Sequence, residues 1–443
     1  MGRHAVPDPA TTLGTGEPVR RRWLPRLLRQ AAFRRYWSAQ TVSLFGDEVS
    51  TLAIPLLAVL MIDAGPAQMG YLTAAALMPN LLFSVIAGAW VDRYPHKRRV
   101  MIAADVGRAL LLAAVPVLWW MQVLTLPQLY VVAFAVGTLA VFFEVAHSSL
   151  FVALVVRSDY IEANTLLNGA RAMSSVAGPS VGGVLVQVLS APVAVLADVS
   201  SYLASALLLT RVDATEYRPT TRERGLGIAA GLRYLARSVI LRSVLLGSAT
   251  LNLFNFMFAA LFVLYVTTDL GVSAGTLGAV IGVGAVGGLF GAAITGRLTR
   301  RFGVGATLVA AFVMFPAPLI LVPLAAGPRP VLLAMLFAAE FGSAVGVMML
   351  DITAGAVQTA ATPESMLARV QGAKRTVNYG IRPIGALLGG VLGATMGLQP
   401  ALWIATIGAL TGGLWIIFSP LPRLRDLPQV ETEQRPDPAS VGG

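Results

Sequence analysis

Several ionisable side chains lie well inside long apolar segments, where they could carry protons across a membrane. Asp47 and Glu48 lie about ten residues into the segment that begins at Trp37, and Glu144 and His147 share a later segment. A charge at the centre of a membrane helix costs about 2.5–3.5 kcal/mol or more, so such residues are usually retained for a pathway. Carboxyl groups in a cavity can take up protons near physiological pH, and an imidazole can relay them. We therefore predict proton coupling at these four residues.

Helical spacing indicates which of these side chains share a face. Glu144 and His147 are three residues apart, so they would be neighbours on one face of a helix. The alternative is that they form a satisfied polar pair that locks helix packing. Gln40, Ser43 and Asp47 also recur at helical spacing, which predicts that the first segment turns a polar face toward a water-filled cavity. We predict that Gln40 and Ser43 contact a substrate there.

Polar side chains in the second half of the chain are further candidates for substrate binding. Asn252, Asn255 and Phe256 occupy the segment that corresponds to the first one, and Glu340 and Asp351 share a later segment. Glu340 lies about ten residues from one end of its segment, a depth at which it can meet a cationic group. We predict substrate contacts at these five residues.

The composition shows which elements must hold these residues. Of 443 residues, 56% are hydrophobic and 12% are charged, whereas about a quarter of the residues of soluble domains carry charge. Several apolar stretches of about twenty residues are long enough for a helix to cross about 30 Å of hydrocarbon. Strand-like alternation is absent, which argues against an outer-membrane barrel. The lack of cysteine excludes disulfides and thiolate chemistry.

The positive charge of the chain is concentrated between the apolar segments. The 33 Lys and Arg residues exceed the 22 Asp and Glu residues, for a formal net charge of +11. Nearly all the cations lie in alternate connecting segments, and only Arg329 lies in a segment of the other set. This asymmetry explains the charge without nucleic acid, and it predicts a multi-pass protein of the bacterial inner membrane with both termini in the cytoplasm. No cleavable signal peptide is visible in residues 1–35.

Apolar stretches between polar or Gly/Pro breaks predict twelve membrane-spanning helices. A longer connection, Arg211–Arg242, ends in a basic amphipathic pattern and divides them into six plus six. The predicted organisation is a basic tail (1–35), a first bundle (36–210), a linker with an amphipathic helix (211–242), a second bundle (243–420) and a tail (421–443). The predicted spans are Trp37–Ile62, Met69–Val91, Val100–Met121, Gln128–Val155, Thr165–Leu189, Ala191–Thr210, Ser243–Thr268, Ala274–Leu298, Ala306–Leu324, Val331–Ala360, Val370–Met396 and Pro400–Ser419.

The two halves resemble each other at a shift of about 204 residues. Asn168–Arg171 aligns with Gly372–Arg375, and Pro179 aligns with Pro383. Parallel repeats of six helices are one way in which transporters build a site at the membrane midplane that can open to either side. The predicted fold is therefore an all-α membrane protein with twelve transmembrane helices in two pseudo-symmetric six-helix bundles.

The segment Gly88–Arg99 carries a glycine, an acid and a basic cluster in the order of a known signature loop between a second and a third helix. Asp105–Arg108 and Asp198 are further matching features. On these residues the chain, over Phe33–Leu421, resembles the major facilitator superfamily, and specifically its drug-exporter branch that includes macrolide and enterobactin exporters. Two features differ: Pro95 stands where the family loop usually has glycine, and the predicted fourth helix has no arginine. The resemblance implies a twelve-helix transporter of small molecules.

The signature loop is predicted to gate the cavity. Asp92 is expected to pair with a cation such as Arg108, or to cap a helix of the other half, and so to latch the cytoplasmic side shut. The same loop contains Arg93, Lys97 and Arg98. For these cations, the alternative is that they only set topology and bind lipid headgroups.

A second gating element is predicted in the fifth helix, at Gly178, Pro179, Gly182 and Gly183. Proline kinks the helix, and glycine permits close approach of a neighbouring backbone. The family associates this pattern with exporters. The residues by themselves are equally consistent with an ordinary tight helix crossing, so the direction of transport rests on the resemblance.

The main functional prediction is a proton antiporter that exports a small amphiphilic molecule, such as a drug or a natural product, as its halves rock about a central cavity. The alternative within transport is a lipid or lysolipid flippase of the same fold. A membrane enzyme is disfavoured because the sequence has no nucleophile or metal motif, and no phosphate-binding loop couples it directly to ATP. A receptor would be expected to carry a soluble output domain. We expect a monomer without a cofactor other than the proton gradient, whose partners are its substrate and membrane lipids.

Overall fold

The computed structural model describes residues 25–213 and 228–428, except for the side chains of Val85, Asp92 and Ile228. Throughout these ranges the regular structure is helical, and they contain no strand. Most of the predicted tails 1–35 and 421–443, and the centre of the predicted linker, lie outside the described residues. The predicted organisation into five parts therefore stays a prediction.

Fifteen α-helices follow one another along the described ranges. The first half contains α1 (Ala31–Ile62), α2 (Pro66–Arg93), α3 (Lys97–Trp120), α4 (Leu126–Leu154), α5 (Tyr160–Leu189) and α6 (Ala191–Thr210). The second half contains α7 (Ile228–Arg237), α8 (Val239–Thr268), α9 (Ala274–Phe302), α10 (Val304–Met314), α11 (Leu321–Leu324), α12 (Arg329–Ala360), α13 (Glu364–Met396), α14 (Leu398–Thr411) and α15 (Leu414–Ile417).

Ten helical segments within the described ranges are long and apolar enough to cross a membrane. Two helices of similar length, α2 and α13, are not among these ten. In α13 the apolar pattern is interrupted by Arg369, Lys374, Arg375 and Arg382. Many of the helices also extend a few residues past the predicted apolar spans, because an amphipathic turn can continue a helix beyond the hydrocarbon.

Two of the predicted spans are also long and apolar enough to cross a membrane in the structure, but neither is one continuous helix. The span predicted at Ala306–Leu324 consists of α10, a 3-10 turn at Ala317–Ile320 and α11. The prolines at positions 316 and 318 explain this break, because proline lacks the N–H group that a continuous helix requires. The span predicted at Pro400–Ser419 divides into α14 and α15 at the pair Gly412–Gly413, where the backbone is least constrained.

Helix contacts follow the same plan in the two halves. In the first half, α1 packs on α5 and α6, while α4 packs on α2 and α3; in the second half, α8 packs on α13 and α14, while α12 packs on α9 and α10. The halves meet where α5 crosses α9 and where α2 crosses α13. Under the repeat, α2 corresponds to α9 and α5 corresponds to α13, so the two crossings are equivalent contacts, as expected for a two-fold axis between the halves. This arrangement agrees with the internal repeat at a shift of about 204 residues.

The short helix α7 lies where the sequence predicts a basic amphipathic helix. It packs on α8 and α13, and its Leu235 is fully buried. A side chain at Gly231 would clash with the backbone carbonyl of Arg369, so this close approach depends on glycine. The helix therefore fastens the end of the linker to the second half.

Candidate functional site

The ends of the helices define two ends of the molecule. We call the end with the α2–α3 turn the basic end, because Arg93, Lys97 and Arg98 lie there, and the opposite end the far end. Helices alternate in direction, so α1, α3, α5, α8 and α13 begin at the basic end, whereas α2, α9 and α12 begin at the far end. These directions place every site residue at a depth between the two ends.

The far end is closed by two crossings of small residues between the halves. In the first, Gly183 of α5 lies against the Ala274 carbonyl and the Gly278 Cα of α9, and Pro179 presents its carbonyl to Gly278. In the second, Gly70 of α2 lies against Gly390 of α13. Glycine permits this approach because any Cβ would enter the facing backbone. Both contacts lie in the far-end halves of their helices, where they bring the two halves into direct backbone contact.

The predicted gating glycines divide between two interfaces. Gly183 lies in the α5–α9 crossing together with Pro179. Gly178 instead faces the side chain of Glu48, and Gly182 faces the Val49 Cα, which a Cβ would approach to 3.1 Å. These two glycines therefore fit α5 against α1 within the first half. Glu48, a predicted proton-coupling residue, is half-buried at that α1–α5 contact.

We expect Gly183→Val to loosen the far end. Overpacking costs about 1–3 kcal/mol, which changes a two-state population by about 5–150-fold. The chain has no cysteine, so a single Gln187→Cys substitution next to the crossing reports the change by its rate of maleimide labelling in detergent. The rate should rise in the valine variant. Gly169→Val on the same helix is the matched control, because a Cβ there meets nothing within 4 Å; equal rates in both variants would contradict a closed crossing.

A cavity of about 560 Å³ lies within the second half. Its walls come from the middle of α8, from α12, and from the part of α13 that precedes the far-end crossing. The cavity therefore lies on the basic-end side of that crossing. Five of the predicted substrate residues line it: Asn252, Asn255, Phe256, Glu340 and Asp351. Gln40 and Ser43, the other two, are buried at 6% and 2% exposure and are not among its lining residues.

Sequence reasoning missed the cations that line this cavity. Lys374, Arg375 and Arg382 form part of its wall, although their positions in a basic run suggested only a topological role. The position of Arg382 could have indicated its location in the cavity wall. It lies directly before Pro383 and eighteen residues beyond the start of α13 at Glu364. That depth is too great for a residue at the membrane surface.

A second polar site lies in the first half, around Arg108 of α3. The Arg108 guanidinium pairs with Asp105 on the same helix and lies 3.7 Å from the Asp47 carboxylate of α1. Its carbon lies 4.5 Å from the centre of the Phe143 ring and 4.1 Å from that of the Tyr202 ring. Two carboxylates and two aromatic faces therefore hold one buried cation.

The two carboxylates differ in their access to solvent. The Asp105 side chain is fully buried and accepts a hydrogen bond of 2.7 Å from the Ser205 hydroxyl. The Asp47 side chain is 40% exposed and accepts a hydrogen bond from the Tyr202 hydroxyl. Asp47 is thus the partly exposed member of this network, and a proton bound there would weaken its attraction to Arg108.

Asp198 of α6 is a buried carboxyl group near the same network. It has no exposed surface, and the Ser201 hydroxyl lies 3.0 Å from its Oδ1. Its Oδ2 has no hydrogen-bond partner among the described residues. Gly46 of α1 makes room for this group, because a Cβ there would clash with Asp198 and Ser201. The sequence shows Asp198 within an apolar segment, but it does not indicate which residues surround the side chain.

His147 is held by aromatic residues. The Tyr36 hydroxyl lies 2.7 Å from its Nδ1, and the Tyr36 and Phe143 rings stack on the imidazole at centroid distances of 5.4 and 6.4 Å. Glu144 lies one turn away and is exposed. The hydrogen bond to the imidazole therefore comes from α1 and joins α1 to α4, whereas Glu144 faces open space.

The signature loop is tied to the ends of neighbouring helices. Lys97 is buried and donates a hydrogen bond to the Val91 carbonyl, and Arg98 donates one to the Val212 carbonyl beyond α6. Arg93 is exposed. Arg108 pairs with Asp105 and lies close to Asp47. The side chain of Asp92 lies outside the described residues. The predicted latch at Asp92 therefore stays a prediction.

Together with the family match given next, these features define a class: a multi-pass membrane transporter with a cavity in its second half. The chain belongs to the transmembrane secretion effector family of the major facilitator superfamily, whose sequence profile matches residues 22–441.

Similar proteins agree with this assignment. The chain is 28% identical over 411 residues to the multidrug efflux pump Tap of Mycobacterium tuberculosis, which covers 88% of this chain and 94% of that protein. It is also 28% identical over 394 residues to the Tap pump of Mycolicibacterium fortuitum, covering 86% and 93%. Among solved structures, a bacterial homologue of the iron transporter ferroportin in its inward-facing state has a TM-score of 0.71 at 16% identity, covering 89% of this chain and 99% of that one. The last similarity concerns the fold.

Proposed function

We propose that this protein exports a small amphiphilic molecule in exchange for protons. The proposed architecture has twelve membrane-crossing helices in two six-helix bundles, which open the space between them alternately to either side. The similarity to multidrug efflux pumps supports the direction and the kind of substrate. The pairing of the partly exposed Asp47 with the buried Arg108 carries the proposal of proton coupling.

The positions of the cations support an orientation in the bacterial inner membrane. Arg93, Lys97 and Arg98 lie at the basic end, which we assign to the cytoplasm by the excess of positive charge in cytoplasmic loops. Both chain termini then lie in the cytoplasm. In this orientation the cavity of the second half lies on the cytoplasmic side of the closed crossings, where a compound for export would bind.

A coupling cycle follows from the electrostatics of the first half. Arg108 attracts Asp47 while the carboxylate is charged, and a proton that reaches Asp47 from the far side would weaken this pair. Asp47 lies on α1, which packs directly on α5 and α6, and α5 carries the far-end crossing at Gly183. A change in the Asp47–Arg108 pair is thereby linked mechanically to the contact that must open. Glu144 is the second proposed proton carrier, because it is exposed on the helix beside His147.

Everted membrane vesicles provide the test. With an acidic interior imposed, vesicles that contain the protein should accumulate amphiphilic drugs, and nigericin, which collapses the pH gradient, should stop the uptake. Vesicles without the protein give the background. Equal uptake with and without the gradient would contradict proton antiport, and translocation of a labelled lysolipid in place of any drug would support the flippase alternative.

We expect Glu144→Gln to lower the initial rate of gradient-driven uptake in the same assay, because the amide cannot take up a proton. Glu364→Gln, which neutralises an exposed carboxylate at the start of α13, is the matched control and should leave the rate unchanged. If the two variants transport equally well, Glu144 has no part in the coupling.

A further inference from the structure

We propose that the second-half cavity binds the acidic group of an anionic amphiphile, and that Arg382 is its principal ligand. This inference rests on the proposed export function and names the substrate class for the same site. It differs from the prediction, made on Glu340 alone, that the site would meet a cationic group.

Arg382 is prepared for an anion. Its Nε donates a hydrogen bond of 3.1 Å to Asn252 Oδ1, and its guanidinium carbon lies 4.2 Å from the centre of the Tyr379 ring and 4.9 Å from that of the Phe256 ring. These contacts fix the direction of the guanidinium plane before a ligand arrives. Arg382 forms no ion pair with a carboxylate of the described residues. Asp351 attracts this cation only at longer range than an ion pair. A guanidinium that is held in place and has no carboxylate in direct contact is suited to a carboxylate, sulfonate or phosphate.

Two further cations extend this positive wall. Lys374, Asn378 and Arg382 recur every four residues, so they share one face of α13, and Arg375 adjoins them. The Lys374 ammonium donates a hydrogen bond to the side-chain oxygen of Gln358. In the described parts of the chain, neither Lys374 nor Arg375 forms an ion pair with a carboxylate. Three cations against the carboxylates of Glu340 and Asp351 leave the lining with a net positive charge when all five groups are ionised.

The depths of these charged residues along their helices determine the order in which an entering ligand would contact them. Lys374 lies ten residues from the basic-end start of α13, whereas Glu340 lies eleven residues from the far-end start of α12. A ligand that enters from the basic end therefore meets the cations before it reaches Glu340. The Glu340 carboxyl group can then accept a hydrogen bond from a hydroxyl or amine at the other end of the ligand.

The size and walls of the cavity indicate the rest of the molecule. A volume of about 560 Å³ lies within the range of about 300–1,000 Å³ that is typical of sites for drug-sized ligands. Apolar surface comes from Phe256, Phe315, Val347 and Leu350. The ligand class is therefore an amphiphile with an apolar or aromatic body and one acidic group.

Two dyes with the same fused-ring skeleton and opposite charge test this inference. Fluorescein is an anion and rhodamine 123 is a cation, and fluorescence polarisation gives the Kd of each for the full chain in lipid nanodiscs. Fluorescein should bind at least about tenfold more tightly, which corresponds to one charge-assisted hydrogen bond. Arg382→Gln should weaken fluorescein binding by about tenfold or more, and Glu340→Gln should not weaken it.

Arg329→Gln is the matched control, because Arg329 is exposed at the far-end start of α12 and lines no part of the cavity. Lys374→Gln provides a second test should Arg382→Gln not fold, and it should weaken fluorescein binding severalfold. Tighter binding of rhodamine 123, no binding of fluorescein, or an equal effect of the Arg382 and Arg329 variants would overturn the inference.

The binding measurement is independent of export, because it uses no gradient. Uptake of both dyes into everted vesicles then separates the two proposals. If rhodamine 123 is transported and fluorescein is not, the export function stands and the anionic class is wrong. If fluorescein binds through Arg382 but neither dye is moved by the gradient, the site stands and proton-coupled export fails.

Discussion

Arg108→Met is expected to lower the free energy of unfolding by about 3–5 kcal/mol, the usual result of removing one partner of a buried ion pair. Arg108 is 4% exposed, and its partner Asp105 has no exposed surface. The variant leaves the Asp105 carboxylate without a cation in an apolar bundle. It also removes the group that stacks on Phe143 and Tyr202. The loss is measured by unfolding in a graded detergent mixture, followed by tryptophan fluorescence.

Two variants show whether the uncompensated charge is the cause. Adding Asp105→Asn to Arg108→Met removes the carboxylate and should restore part of the stability, since the two changes are coupled. Arg297→Met is the matched control, because Arg297 is exposed and, among the residues that the structure describes, its hydrogen bond goes to the Ala293 carbonyl of its own helix. A loss no larger than that of the control, or no recovery in the double variant, would show that Arg108 does not hold this part of the fold together.

Asp47→Asn is expected to abolish gradient-driven uptake, with a fall of at least about tenfold in the initial rate, because the amide can neither bind nor release a proton. The fold should persist. An asparagine oxygen can still accept the hydrogen bond from Tyr202, and Arg108 keeps its pair with Asp105.

The rate of exchange without a gradient separates coupling from a structural defect. In vesicles with equal pH on both sides, Asp47→Asn should still exchange labelled for unlabelled substrate, whereas a misfolded variant would not. Asp63→Asn at the end of the same helix is the matched control: Asp63 is exposed, and asparagine tolerates its φ of 51°. Wild-type uptake by Asp47→Asn would remove this carboxylate from the mechanism.

Several parts of the site could be predicted from residue type and local spacing alone. An acid within an apolar helix draws attention wherever it lies, which is why Asp47, Glu144 and Glu340 were found. The alternative interpretation of Pro179 and its neighbouring glycines, an ordinary tight helix crossing, predicts close approach in α5; the structure places Gly183 against α9, and Gly178 and Gly182 against α1. Cations were harder to interpret, because the same Arg or Lys serves topology at a helix end and binding at mid-depth. The sequence pattern around Arg382 suggests a topological role, whereas the structure places this residue at mid-depth in the wall of the cavity.

Tertiary structure decided which charges meet. Tyr202 reaches Asp47 across 155 residues of chain, and Ser205 reaches Asp105 across 100. No local pattern records such a pairing, because it depends on how helices rotate and cross when they pack. The sequence offered Arg108 as one example of a partner for Asp92, whose side chain lies outside the described residues, and it did not indicate that Arg108 lies against Asp47 and Asp105. The interrupted helices of the ninth and twelfth spans could be predicted only in part. The prolines and glycines are visible in the sequence, but whether they interrupt a helix depends on the neighbouring helices.

The amino-acid sequence by itself determined that this protein is a helical membrane protein built from a repeat, because a chain in lipid must satisfy its backbone hydrogen bonds within each apolar segment. Segment length and hydropathy are local properties, so they can be read along the chain. Only the tertiary structure decided that the far end is closed, that the cavity lies in the second half, and that its wall is positive. Those features arise from close approach between residues far apart in sequence, where a glycine or an arginine acquires its role from what it faces.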